Sequence, residues 1–257
     1  MDRDWAAGDG ARETYDDHAP TYDLFLRDYQ YERWSTKLLG LVEAAGLKGK
    51  RLFDVGCGTG LSCIVPLDQG FDVTGCDVSP AMIELAKARL GKRARLMVAD
   101  MRELPQLGPF DLLWAVNDAV NYLLGRDELE TALSGMRANL GPDGILLFDL
   151  NTLRAYKTFF CEMHTVENEG QTMTWEGLME PWQVHAGSVC QARYTVGEPS
   201  GTTTIHRQRH FPRREVLAAM EATGLTCIGV HGELEGELSQ PLDEYRHTKA
   251  VYLARPA

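Results

Sequence analysis

The chain has 257 residues, 44% of them hydrophobic, which is enough to bury a full core, and its formal net charge of −11 opposes any partner held through a phosphate backbone. No run of about 18 apolar residues occurs, and the opening MDRDWAAGDG has neither the basic start nor the apolar stretch of a secretory signal, so a cytoplasmic protein with no membrane span is expected. The six cysteines, Cys57, Cys63, Cys76, Cys161, Cys190 and Cys227, form no C-x-x-C pair and indicate neither a metal site nor a disulfide framework.

In chain order, residues 11–45 are predicted as helix, with Leu38, Leu39, Leu41 and Val42 on one face and Gly46 as the stop, forming a cap over residues 1–47. Residues 48–151 alternate short apolar strands with amphipathic helices: RLFDVG, helix, DVTGCD, a helix from Pro80, ARLMVAD, FDLLWAV, a helix from about 127, and GILLFDL. That alternation predicts a parallel sheet with helices on both faces. Residues 152–211 break the rhythm with short alternating segments such as QTMTWEGLME, SVCQARYTV and TTTIHRQRHF, read as an antiparallel β insertion after the fifth strand. Residues 212–257 return to the core with a helix, RREVLAAMEATG, and two strands near TCIGVHG and TKAVYLARP.

The most informative stretch is LFDVGCGTG, residues 52–60. Asp54 ends the first strand, Gly56, Gly58 and Gly60 form the turn, and a helix starts near Ser62, so main-chain N–H groups face a ligand at the carboxyl edge of the sheet. A dinucleotide fingerprint requires a third glycine at 61, where the chain has Leu61, which disfavours a nicotinamide oxidoreductase. Asp77 follows Gly60 by 17 residues at the end of the second strand, near the spacing at which an acid takes ribose hydroxyls. Asp100 ends the third strand, where its carboxylate and the Met101 N–H suit the edge of a base. Alone, either acid also reads as a strand-end cap. With the glycine turn they describe an adenosine pocket.

DVGCGTG, followed by Asp77 and by VADM, resembles the class I S-adenosylmethionine-dependent methyltransferases over roughly residues 11–151. The resemblance implies a Rossmann-like, seven-stranded, mostly parallel α/β sheet with its last strand antiparallel, and S-adenosylmethionine as cofactor. It assigns the methionine end to Asp54 and the turn Gly56, Cys57, Gly58 and Gly60, the ribose to Asp77 with Val78, and the adenine to Asp100 and Met101. YDDHAPTYD (15–23) is similar to the helical segment lying over the cofactor, with Tyr15 and Tyr22 as contacts. AVNDAVNYLL (115–124), with Asn117, resembles the segment bordering cofactor and acceptor in amino-sugar and other small-amine N-methyltransferases, and the insertion after the fifth strand resembles one in that subgroup and in glycine N-methyltransferase-like enzymes. An Asn-Pro-Pro-Tyr motif is replaced here by Asn117-Asp118-Ala119-Val120, away from nucleic-acid or protein-amide acceptors.

Methyl transfer from a sulfonium is an in-line displacement, so the protein must place the acceptor atom, exclude water and remove a proton. Seven aromatics lie between Trp5 and Trp34, and Trp175 and Trp182 add to a small-molecule pocket. Candidate bases are His18, Asp118 and His185, with Glu180 and His210 behind them. Candidate acceptor contacts are Tyr22, Tyr29, Asn121, Tyr122, Trp175, Trp182 and Arg209, and Arg209 or Arg246 reads equally as a surface ion-pair partner. The acidic balance tilts the expectation toward a small amine, with O-methylation or cofactor binding without transfer as alternatives. The insertion reads as either a substrate lid or a dimer surface, so a homodimer stays open.

Overall fold

A computed structural model describes residues 9–27, 29–197 and 201–257; Trp5 lies outside the described residues. Two helices, α1 (Asp9–Phe25) and α2 (Tyr31–Ala44), stand where one helical stretch was expected over 11–45. The break brings the hydroxyls of Tyr22 and Tyr31 within 3.0 Å of each other. Strands β1 (Arg51–Val55), β2 (Asp72–Asp77), β3 (Ala94–Val98), β4 (Phe110–Ala115) and β5 (Leu140–Asn151) alternate with helices α3 (Leu61–Asp68), α4 (Pro80–Leu90) and α5 (Arg126–Asn139). Helix α6 (Leu153–Phe159) leads into β6 (Met163–Asn168), β7 (Gln171–Gly177), β8 (Val189–Val196) and β9 (Thr202–Arg209), and then come α7 (Arg213–Ala222), β10 (Leu225–Leu234), β11 (Glu237–Ser239) and β12 (Lys249–Pro256).

The main sheet runs β11-β10-β12-β5-β4-β1-β2-β3, and the smaller antiparallel sheet runs β6-β7-β8-β9. Strands β1 to β5 are mutually parallel, whereas β12 is antiparallel to both β5 and β10. The main sheet therefore has eight strands, not the seven expected. The extra one arises at Glu235-Gly236, where φ angles of +53° and +78° make a two-residue hairpin turn that folds β11 back onto β10. Leu52, Phe53, Val73, Leu112, Leu113, Trp114 and Ile145 to Phe148 are fully buried because helices cover both faces, and each large side chain contributes about 1.5–3 kcal/mol of apolar burial.

The order reverses at β1, with β2 on one side and β4 on the other, so the crevice for a ligand opens at the carboxyl ends of these strands. Helix α1 lies across that crevice. On one side Asp16 Oδ1 accepts from Ser79 Oγ at 2.6 Å and Ala81 N–H at 3.1 Å, and Asp23 Oδ1 accepts from Thr59 Oγ1 at 2.7 Å while Arg89 pairs with its other oxygen. On the other side Thr14 donates to the Ile205 carbonyl, Thr21 accepts from Tyr194, and Leu24 and Phe25 pack on the core of the small sheet. Among the described residues, no helix is long and apolar enough to cross a membrane.

Candidate active site

Two cavities meet beneath α1. The larger, about 840 Å³, follows the carboxyl ends of β1 to β4 and is lined by Gly56, Cys57, Gly58, Asp77, Val78, Asp100, Met101 and Asn117. A Cβ added to Gly56 would stand 2.8 Å from the Ala119 Cβ, so this glycine lets the turn pack closely on the segment after β4. A Cβ on Gly58 would meet no atom within 4 Å, leaving its main chain open to the cavity. Asp77, at the end of β2, accepts from Gly58 N–H and Ser79 N–H, each at 2.9 Å. Burial raises its pKa to about 6 against these two stabilising bonds. Each of its oxygens keeps a further lone-pair position for a hydroxyl. At the far end, burial pushes Asp100 up, but its bonds with Arg102 outweigh this and hold its carboxyl below the usual range. Arg102 also donates to Glu128 at 2.8 Å.

The smaller cavity, about 520 Å³, is mostly aromatic and shares Tyr15, Tyr22, Tyr31, Asn117 and Tyr122 with the first. Its other walls include His18 and Phe25 of α1, Tyr29, Phe160, Trp175, His206, Asp118 and Lys249. Asn117 and Asp118 both have left-handed backbone, with φ of +59° and +57°. Their N–H groups donate to the wholly buried Asp149 at 2.9 and 2.6 Å, which holds this uncommon conformation in place. The Asp118 carboxylate is thereby turned toward the cavity, receiving Lys249 Nζ at 3.1 Å and Gln208 Nε2 at 2.7 Å. Burial opposes the Lys249 charge, but Asp149 and Asp118 outweigh it and hold the ammonium above its usual range.

Two buried histidines, His18 and His206, also line this cavity. Burial lowers His18 well below its usual value, with a smaller push from His206, and His206 is itself lowered to about 3 by burial. Both are neutral at physiological pH. His206 Nδ1 lies 2.7 Å from the Tyr122 hydroxyl, and the His18 ring lies 3.9 Å from the Tyr194 ring.

A family model described as a methyltransferase domain matches residues 52–144. YqeM of Bacillus subtilis (strain 168), a protein named as a methyltransferase, is 31% identical over 178 residues, 68% of each chain. The chain belongs to the S-adenosylmethionine-dependent methyltransferases. The dTDP-3-amino-3,6-dideoxy-alpha-D-glucopyranose N,N-dimethyltransferase of Streptomyces fradiae is 29% identical over 229 residues, covering 85% of this chain and 87% of its own. The structure of S-adenosylmethionine-bound CalS10, an amino pentose methyltransferase of Micromonospora echinaspora, superposes with a TM-score of 0.69 at 25% identity, covering 92% of this chain and 97% of that one. The residues along the larger cavity of this methyltransferase fit the cofactor: an open glycine main chain, an acid at the end of β2 and a second polar end at Asp100.

Of the residues singled out from sequence, the structure brings Gly56, Cys57, Gly58, Asp77, Val78, Asp100 and Met101 to the larger cavity, His18, Tyr29, Asp118 and Trp175 to the smaller, and Tyr15, Tyr22, Asn117 and Tyr122 to both. Others are placed elsewhere. Asp54 lies behind the turn, fully buried, with Oδ2 accepting from Ser62 Oγ at 2.6 Å, so it ties α3 to β1 and lines neither cavity. Gly60 packs against Leu90 and Ala86. Asn121 is buried between the Arg209 carbonyl and the Asn151 N–H and braces the chain. His185 sits on an exposed turn, and Trp182 is 71% exposed. Arg209 makes a two-pronged pair with Glu215. His210 is buried against Glu244, and Glu180 and Arg246 are exposed.

Sequence reasoning missed His206, Gln208, Asp149 and Lys249. The signal for the first two was present, since alternation along β9 buries Thr204, His206 and Gln208 on one face. Asp149 is an acid inside an otherwise apolar run, LLFDL, the same signature that drew attention to Asp54.

Proposed function

We propose that the chain transfers the methyl group of S-adenosylmethionine to an amine nitrogen of a small molecule enclosed in the 520 Å³ cavity. The observation that carries this reading is the wall of Tyr15, Tyr22, Tyr31, Asn117 and Tyr122, which lies between the crevice at the carboxyl ends of β1 to β4 and an aromatic chamber and belongs to both. When bound, the cofactor supplies a methyl on a positively charged sulfur, already activated for displacement. In this reading the main chain at Gly58 and the Asp77 carboxylate hold the methionine and ribose parts, and Asp100 with Met101 borders the base.

Asp118 is the proposed proton acceptor. Two of its lone-pair positions are taken by Lys249 and Gln208, and the remaining ones face the chamber. The acceptor's ammonium gives its proton to this carboxylate, which frees the nitrogen lone pair. Asp118 and the aromatic walls would hold that nitrogen in line with the methyl–sulfur bond of bound cofactor, where the lone pair would form the new carbon–nitrogen bond and the carbon–sulfur pair would leave with sulfur. The aromatic walls exclude water and restrict the amine to the shared boundary. The segment 152–211 covers the acceptor side in this proposal, because Trp175, His206 and Gln208 all come from it.

The test is incubation with methyl-labelled S-adenosylmethionine and two panels, one of small amines and amino sugars and one of phenols and hydroxylated metabolites, read by mass spectrometry. Label on nitrogen is expected. Label confined to oxygen would overturn the amine assignment.

A further inference from the structure

The charges and faces of the acceptor chamber carry a statement about what form the acceptor takes. Its described lining contains three carboxylates, Asp118, Glu233 and Glu235, and two cations, Arg33 and Lys249. Both cations are already engaged: Arg33 donates to Glu237 at 2.9 Å, and Lys249 lies 3.1 Å from Asp118 and 3.4 Å from the buried Asp149. A carbon chamber with one carboxylate turned inward and cations locked onto acids presents negative potential to whatever enters. The faces act in the same direction. Tyr22, Phe25, Tyr29, Trp175 and Phe160 line the chamber, and aromatic faces attract cations through their quadrupole. His18 and His206, both neutral, add no opposing charge.

We propose that the chamber is a cation site, with Asp118 and the aromatic side chains that include Tyr22 and Trp175 receiving the acceptor as a free ammonium, and that it rejects acceptors carried on a diphosphate. This goes beyond the amine reading on which it rests, because the Streptomyces fradiae relative is named for a dTDP-linked amino sugar, which brings two phosphates with it. A diphosphate here would meet a lining with more carboxylates than cations, and the buried cation, Lys249, is held between Asp118 and Asp149, while Arg33 is shared with the exposed Glu237.

The experiment is calorimetric titration of the full chain, loaded with S-adenosylhomocysteine, with tetraethylammonium as an unreactive cation and with dTDP as the diphosphate probe. Tetraethylammonium is expected to bind, and Asp118→Asn and Trp175→Leu should each weaken it by about tenfold. S-adenosylhomocysteine affinity in both variants, staying within about twofold of the parent, serves as the control for folding. Millimolar dTDP is expected neither to bind nor to displace tetraethylammonium. Failure of tetraethylammonium to bind, equal binding by parent and variants, or displacement by dTDP would each overturn the cation site. The amine reading is judged separately from the labelled-methyl products: no methyl on nitrogen, with tetraethylammonium binding intact, ends that reading and leaves the cation site standing.

Discussion

Asp77, the proposed ribose partner, carries a measurable cost to the empty protein. Its carboxyl is buried and titrates near 6 in the fold, against 3.8 for the free group. The sign follows from which state holds the proton more tightly. Below about pH 4 the group is neutral both folded and unfolded and contributes nothing. Between about pH 4 and 6 the folded chain retains a proton that the unfolded chain has released, so stability falls as pH rises, and above about 6 the full penalty is present. A shift of about two units corresponds to about 3 kcal/mol. Asn at this position cannot titrate. It keeps one acceptor for the N–H groups of Gly58 and Ser79 and loses the other, at a pH-independent cost of about 1–3 kcal/mol.

Urea unfolding of the cofactor-free wild type and Asp77→Asn across pH 4–8 should therefore show the stability difference moving by about 3 kcal/mol against the wild type between pH 4 and 7. The same substitution should weaken S-adenosylmethionine binding by about 100-fold at pH 7.5, since two charge-assisted bonds to ribose hydroxyls are lost. Wild-type affinity itself should decline as pH drops through about 6. Parallel stability curves for the two proteins would refute the assignment of the raised titration to Asp77.

Gly58→Ala should cost only about 1–2 kcal/mol in stability, for its left-handed φ of +53°, while weakening cofactor binding more than about tenfold because its methyl stands in the open crevice. Gly56→Ala, whose Cβ meets Ala119 at 2.8 Å, should add a packing cost of about 1–3 kcal/mol in the urea midpoint to that conformational cost. Asp149→Ala removes the acceptor for two N–H groups and a partner of buried Lys249, and should destabilise by about 3–5 kcal/mol, read by thermal or urea unfolding. Asp118→Asn should lower kcat by about 100-fold with cofactor Kd unchanged, whereas His185→Ala should leave both unchanged; these are read from steady-state kinetics and calorimetry.

The crevice proposed for the cofactor was legible because each of its signals is local. A strand of buried residues, an acid at its end and glycines at alternate positions all lie within the nine residues of LFDVGCGTG. Even there, burial separated Asp54 from Asp77: both acids end strands, but Asp54 is turned inward onto Ser62 and Asp77 toward the crevice. The acceptor side was not legible in the same way. His18 of α1, His206 and Gln208 of β9 and Lys249 of β12 meet only because the small sheet is docked against α1 and β12 is inserted between β5 and β10. No spacing in the chain encodes that meeting. From the sequence His185 was chosen and His206 passed over, although the inward alternation of β9 places His206 in the chamber wall while His185 sits on an exposed turn.

Helix α1 holds Tyr15 and Tyr22 in the walls of both cavities and is fastened on one flank to the glycine turn and α4 and on the other to the small sheet. A movement of this helix would open the cofactor crevice and the acceptor chamber together. If each turnover involves such a movement, a once-methylated acceptor is released before it can be methylated again, and in a mass-spectrometric time course the monomethyl product should accumulate in solution before a dimethyl product appears.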